Sequence, residues 1–369
     1  MKKNVIALAV ASAIAAPVAM ADAPTIFGKV NQAFQIKDVK SSSGQDKSKS
    51  GMFLKSYASR LGVKGSEDLG NGLKAVYHVE FGLGMVDGKA ISNRNQFAGL
   101  AGSFGTVIIG RHDTPFKMAQ GYDAFNDKEY DNSWSKLGVL GKSGEDRVDN
   151  ALAYVSPSFG GAKVIAAFVP KETGGYPSQT SSITDVISAA VVYGSKKKGL
   201  YLSAAMNTFS KAFKGSAKTT EGSGTVIGYD ASGNKIYSTT TTTPASKGKS
   251  GTDMRLVAQY SVAGLTGGLT YANYSGDVVK NTPQEGSVIS VNAKYKMGKI
   301  TPRFKYSMVD YKNLSATEKA KDGTGMGVGA DYALSKHTKA YVDYMSLSNI
   351  GGFNKKDESV MNVGFVVKF

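Results

Sequence analysis

Few side chains in this chain are equipped for bond-making chemistry. Its 369 residues include no Cys and three His. A disulfide framework, a thiolate metal centre and a cysteine nucleophile are therefore excluded. A hydrolase of the serine type needs its nucleophile beside a base that is held by an acid. The three imidazoles, His78, His112 and His337, are scattered and share no motif. Ionic chemistry is better supplied. There are 45 Lys+Arg against 29 Asp+Glu, a formal net charge of +16. Wherever that excess is gathered, it concentrates anions and repels cations. Acids and aromatics crowd one stretch, which holds Tyr122, Asp123, Phe125, Asp127, Glu129, Tyr130, Asp131 and Trp134.

The elements that must position these charges read as strands. Met361, Val363, Phe365, Val367 and Phe369 alternate with Asn362, Gly364 and Lys368. Ile289, Val291, Ala293 and Tyr295 alternate with Ser290, Asn292 and Lys294. Leu73, Ala75, Tyr77, Val79 and Phe81 alternate with Lys74, His78 and Glu80. Period two gives each strand one apolar and one polar face. The pattern predicts sixteen strands, over 25–37, 56–67, 73–83, 93–101, 106–112, 148–156, 163–171, 185–194, 200–211, 252–263, 267–276, 287–297, 300–311, 324–335, 338–347 and 358–369. No capped helix is expected after residue 21.

The connections alternate in length. Short ones fall at 68–72, 103–105, 158–161, 196–199, 264–267, 298–299 and 335–337. Long ones fall at 38–55, 84–92, 113–147, 172–184, 212–251, 277–286, 312–323 and 348–357. A soluble sandwich has no reason to alternate this way. A transmembrane antiparallel β-barrel does, with short turns at one rim and longer loops at the other. Closure leaves no unpaired backbone edge in lipid. The expected fold class is all-β, and an even strand count puts both chain ends at the short-turn rim. The polar stretch 212–251, with its run Thr239 to Thr243, reads as an exposed loop.

The N-terminus carries a different signal. Met1-Lys2-Lys3 precedes an uncharged run from Asn4 to Ala21 that ends in Ala19-Met20-Ala21. This reads as a cleaved secretory signal over 1–21, with 22–369 as one barrel domain. The longest later uncharged run, Leu256 to Gly276, contains four Gly and is too polar for a lipid-exposed helix. It splits at Gly264–Gly268 into two strands.

If the apolar parity faces lipid, the other parity faces the lumen. Fifteen basic residues fall on it: Lys29, Lys37, Arg60, Lys64, Lys74, Arg94, Arg147, Lys163, Arg255, Lys294, Lys296, Arg303, Lys305, Lys339 and Lys368. Four acids are set against them: Glu80, Asp149, Asp331 and Asp343. Arg111 shares the parity of Val107 and Ile109 and points outward unless a bulge intervenes. The excess predicts a wet, basic interior that favours anions.

Several segments resemble a known family. The stretch from Ser59-Arg60-Leu61-Gly62 through Asp68-Leu69-Gly70-Asn71-Gly72 to Ala75 resembles the second-to-third strand hairpin of Gram-negative general diffusion porins. Asn93-Arg94-Asn95-Gln96-Phe97 and Gly105-Thr106-Val107-Ile108-Ile109-Gly110-Arg111 are similar to their fourth and fifth strands, and Arg147-Val148-Asp149-Asn150-Ala151 to their sixth. The final Phe369, behind alternating apolar residues, is similar to the terminal signal read by the outer-membrane barrel assembly machinery.

The resemblance runs from Thr25 to Phe369. It implies a sixteen-stranded barrel in the outer membrane of a Gram-negative bacterium. It also implies a homotrimer, with the third outer loop folded into the lumen. Passive passage of small hydrophilic solutes and anions would follow, against a background of outer-membrane lipid and lipopolysaccharide. No cofactor and no nucleic-acid partner is implied. Lys29, Arg60, Arg94 and Arg147 match the basic ladder of the family's pore constriction, and each also falls on the lumen parity. The segment 113–147 matches the inward loop, which makes Asp123, Asp127, Glu129 and Asp131 the candidate constriction acids. Here the chain departs from the enterobacterial pattern, because it has no Pro-Glu-Phe-Gly-Gly-Asp segment.

Three alternatives remain at this stage. The basic ladder could serve as the track of a phosphate-type oxyanion channel. A barrel enzyme would need one of the scattered His residues beside a nucleophile. A soluble exported β protein would need a reason for the alternating loop lengths.

Overall fold

The computed structural model describes residues 23–40, 50–86, 88, 91–128, 130–131, 147–170, 186–209, 218–221, 226–229, 235–237, 240–243, 251–276, 285–312, 321–350 and 356–369. The signal expected over 1–21 lies outside them, as do Glu129 and Trp134. The strands are β1 (Thr25–Lys40), β2 (Gly51–Ser56), β3 (Arg60–Gly70), β4 (Leu73–Gly82), β5 (Ser92–Gly102), β6 (Gly105–Asp113), β7 (Arg147–Val155), β8 (Ala162–Val169), β9 (Val186–Gly194) and β10 (Gly199–Phe209). Four short strands follow, β11 (Lys218–Glu221), β12 (Val226–Tyr229), β13 (Lys235–Tyr237) and β14 (Thr240–Thr243). The wall resumes with β15 (Gly251–Val262), β16 (Leu265–Gly276), β17 (Gly286–Tyr295), β18 (Ile300–Tyr311), β19 (Gly323–Ala333), β20 (Thr338–Ser348) and β21 (Asp357–Lys368).

Each wall strand pairs antiparallel with its neighbour in sequence. The sheet closes where β1 meets β21 on one side and β2 and β3 on the other. The strands β2 and β3 form one stave broken at Tyr57-Ala58-Ser59, so the wall is a closed barrel of sixteen staves. The break inserts Ala58 at φ 48° and turns Tyr57 inward. Its hydroxyl donates to Asn362 Oδ1 at 3.0 Å and accepts from Gln35 Nε2 at 2.7 Å. Polar groups from three neighbouring staves are thereby joined at the seam. Beside the seam, Gly28 and Phe369 exchange backbone hydrogen bonds of 2.8 and 3.2 Å.

The sixteen expected segments all form strands, and the two parities separate as expected. Large apolar side chains such as Phe34, Ile109, Leu256 and Val363 stand exposed on the outer face. Polar groups such as Gln35, Asn292, Lys305, Asp343 and Asn362 are buried on the inner face. In water so broad an apolar band would be an aggregation surface; in lipid it is the solvent-matched face. No helix of the described residues is long and apolar enough to cross a membrane, and the strands make the crossing.

Two features depart from the sequence reading. The stretch expected as a plain loop contains β11 paired with β14 and β12 paired with β13. The Thr run supplies β14, and β-branched side chains favour a pleated backbone. A single helical turn, Pro115–Met118, also appears. Thr114 Oγ1 accepts from Lys117 N–H at 3.3 Å, and Pro115 occupies a first-turn site where no amide donor is needed.

Candidate functional site: the lumen and its inner strap

The segment 114–131 packs against the inward parity of the wall, and its contacts step round the barrel. Phe116 N–H donates to Ser188 on β9 at 3.1 Å. The carbonyl of Ala119 accepts from Tyr201 and Ser203 on β10, at 3.0 and 2.7 Å. Tyr122 N–H donates to Gln259 on β15 at 2.7 Å, and Ala124 N–H to Asn292 on β17 at 3.0 Å. On β18, Arg303 donates to the carbonyl of Ala124 and Lys305 to that of Tyr130. The Tyr130 hydroxyl donates to the carbonyl of Gly325 on β19. Lys128 pairs with Asp343 on β20, and Asp127 with Lys29 on β1 at 2.7 Å. Among the described residues the strap thus lines the arc from β9 round to β1 and, apart from Lys117 on Asp113 of β6 at 3.2 Å, leaves the arc from β3 to β7 open.

Ionic and aromatic contacts anchor it. The Lys305 ammonium is fully buried and has three donors. They meet both Asp123 oxygens at 2.9 and 3.1 Å and the Tyr130 carbonyl at 2.6 Å. The fully buried Asp343 holds two cations, Lys128 and Arg303. Arg303 also reaches Asp331 at 3.0 Å, and Asp331 reaches Lys339 at 2.6 Å. Arg255 lies 4.3 Å from the Phe116 ring centre, and Lys128 3.5 Å from that of Tyr341. Burial brings the Lys128 amine down to about 8 against the opposing pull of Asp343. Phe125 presses on Gly327 so closely that a Cβ there would sit 2.5 Å from the ring.

The open arc carries the other half of the site. Glu80 on β4 accepts from Arg94 at 2.7 Å and lies 3.4 Å from Arg60. Arg147 reaches Asp113 at 3.0 Å and Asn95 at 2.7 Å. Three cations also stand in register, with Lys29 directly opposite both Lys368 and Arg60. Like charges directly opposed across strands destabilise a sheet, so this row costs stability.

Two cavities, of about 1070 and 950 Å³, meet at the strap and share Arg60, Tyr122, Asp123, Asn126, Asp127 and Lys128 in their linings. The larger opens among the short turns and the smaller among Ser92, Arg94 and Arg147. Where they meet, the carboxylates of Asp123 and Asp127 stand on the strap side and the Arg60 guanidinium on the wall side. That arrangement sets a transverse field and disfavours apolar solutes.

Of the expected basic ladder, Arg60 lines both cavities, Lys29 the larger alone, and Arg94 and Arg147 the smaller alone. Of the expected strap acids, Asp127 faces Lys29 and Asp123 faces Lys305. Asp131 turns back to accept the Asp127 N–H at 2.6 Å and lines the smaller cavity. Asp127 holds this position at φ 67°, a left-handed backbone uncommon outside Gly. Glu129 lies outside the described residues. Arg111 sits where the β6–β7 register shifts and pairs with Asp149 at 2.6 Å.

Parity counting missed several charges. Asp253 shares the inward parity of Arg255, and Glu358, which pairs with Lys37 at 3.0 Å, shares that of Asn362. Both could have been counted from alternation alone. Arg255 and Lys305, expected among the lumen-facing cations, are buried beneath the strap. Lys128 and the turn residues Lys197 and Lys198 also line the lumen, and no periodicity marks them. His78 and His112 pack with Phe27 and Phe97 at ring separations of 4.9–5.3 Å. His337 lies in the short turn before β20.

Against known proteins, the family described as Gram-negative porin matches residues 7–352. The chain is 30% identical over 342 residues to major outer membrane protein P.IA of Neisseria meningitidis serogroup C, covering 86% of this chain and 84% of that protein. Its fold is similar to that of an anion-selective porin from Comamonas acidovorans, with TM-score 0.67 and 18% identity over 94% of this chain and all of the other. It is also similar to OmpT, an outer membrane protein of Vibrio cholerae in trimer form, with TM-score 0.59 and 17% identity over 94% of this chain and 99% of the other.

Proposed function

The chain belongs to the Gram-negative porin family, and on that premise we propose that it is a passive, anion-preferring pore. Its constriction is the gap between the strap and the ladder of Lys29, Arg60, Arg94 and Arg147. The protein resides in the outer membrane, where porins carry small hydrophilic solutes through a water-filled channel. Membership of this family implies a channel rather than an enzyme.

One observation carries the anion preference. Lys368, Lys29 and Arg60 lie side by side on three adjacent staves and face the lumen. The wall bears the cost of that repulsion, and a basic lumen lowers the electrostatic barrier for anions. The selectivity named for the Comamonas porin accords with this reading.

Further parts of the proposal rest on the family. The pore works as a homotrimer, in keeping with the trimer form of OmpT. Residues 1–21 direct export and are removed. Phe369 is read by the barrel assembly machinery, and the outer face is wetted by lipid and lipopolysaccharide. Asp123, Asp127, Glu129 and Asp131 give the strap its negative side.

Swelling of proteoliposomes tests the passive pore. Vesicles carrying the protein are expected to swell rapidly in isosmotic arabinose and more slowly in raffinose, with no energy source. Vesicles that swell no faster than protein-free controls would contradict the proposal.

A further inference from the structure

We propose that the short-turn mouth of the lumen is a binding site for a multivalent oxyanion, a ligand bearing two or more phosphate-type groups. This deepens the anion-preferring reading and rests on it. The larger cavity is lined there by Lys197, Lys198, Lys294, Lys296 and Lys368. They come from the turn between β9 and β10, from β17 and the turn after it, and from β21. Among the described residues, none of the five pairs with a carboxylate. Lys294 has instead the Tyr122 ring, 4.4 Å from its Nζ.

The contrast with the rest of the lumen is sharp. Arg60 and Arg94 share Glu80, Arg147 has Asp113, and Lys29 has Asp127. At the short-turn mouth, by contrast, five cations gather without such partners among the described residues. Two of them are also opposed to like charges across the sheet, Lys294 to Arg303 and Lys368 to Lys29. That placement crowds positive charge at the mouth, although Lys29 and Arg303 have carboxylates of their own.

The turn is held in place for this use. The Lys196 carbonyl accepts from Gln259 at 2.8 Å, and its ammonium donates to the Met118 carbonyl at 2.8 Å. The next two lysines are thereby fixed over the cavity. Ammonium groups on flexible stems form strong charge-assisted hydrogen bonds with oxyanions and select by charge more than by shape. A halide engages them one at a time, whereas a diphosphate engages several at once.

The test uses inorganic pyrophosphate as blocker of the chloride current through single channels in a planar bilayer. Because the chain has no Cys, Ser335→Cys marks the short-turn face when biotinylated and capped with streptavidin. Pyrophosphate on that face is expected to block at a concentration at least about tenfold lower than on the opposite face, as focused charge raises local anion concentration by that order. The Lys198→Gln/Lys296→Gln variant is expected to keep its chloride steps and lose the difference between faces. Equal block from both faces, or no block in a channel that conducts chloride, overturns this site alone. A channel without chloride conductance overturns the pore reading and this site with it.

Discussion

Asp343→Asn is expected to release the strap, raise single-channel conductance about twofold and make the channel noisy. Asp343 is fully buried and is the carboxylate shared by Lys128 and Arg303. Removing one member of a buried ion pair costs about 3–5 kcal/mol, because the remaining charges are left unpaired away from water. The strap has other anchors, but those on β18 and β20 hold its middle against the wall. Letting go is the cheaper response, since Lys128 then regains water.

A second variant reaches the same end without touching a charge. Gly327→Val places methyl groups where the Phe125 ring lies and is expected to lift the strap in the same way. Alkali should act differently. The docked Lys128 amine titrates at about 8, below its ordinary value of 10.5, so docking favours the neutral form. Between those two values, docking strengthens as pH rises. Raising pH from 7 to 9 is therefore expected not to open the channel. Unchanged conductance in both variants would mean that the strap does not limit flow.

Selectivity should respond most to the open arc. Arg60→Glu with Arg94→Glu replaces two cations lining the smaller cavity by two anions beside Glu80. Unit charges about 4 Å apart interact by about 1 kcal/mol even in bulk water, and by more near low-dielectric walls. The change is screened beyond about 10 Å at 0.1 M salt. The chloride-to-potassium permeability ratio is expected to fall about tenfold and pass below one. The neutral pair Arg60→Gln and Arg94→Gln is expected to fall between, which separates charge from a disturbed fold. If the reversed pair leaves the ratio unchanged, ions are selected elsewhere.

The wall was legible in the sequence for a physical reason. Lipid outside and water inside force opposite chemistry on alternate residues, so strand and facing can be read together along β17 or β21. The break at Ala58 was not legible, because three residues carry no period and only the inward Tyr57 gives it purpose. The strap was legible in composition but not in path. Its aromatic rings and acids mark 122–131 as a segment with partners, yet the strap's partners lie on eight strands that follow later in the chain or precede it. Nothing local says that Asp123 meets Lys305 or that Lys128 meets Asp343. The same limit explains why Arg255 and Lys305 read as charges of a wet lumen wall. Parity gives the face of a residue and is blind to what the chain later lays over it.

The most direct test of the account is the reversal potential of the purified protein in a planar bilayer under a potassium chloride gradient. Stepwise conductance with a chloride-biased potential is the predicted result. A potassium-biased potential would contradict the claim that the basic row sets selectivity, and would place control with the carboxylates of the strap.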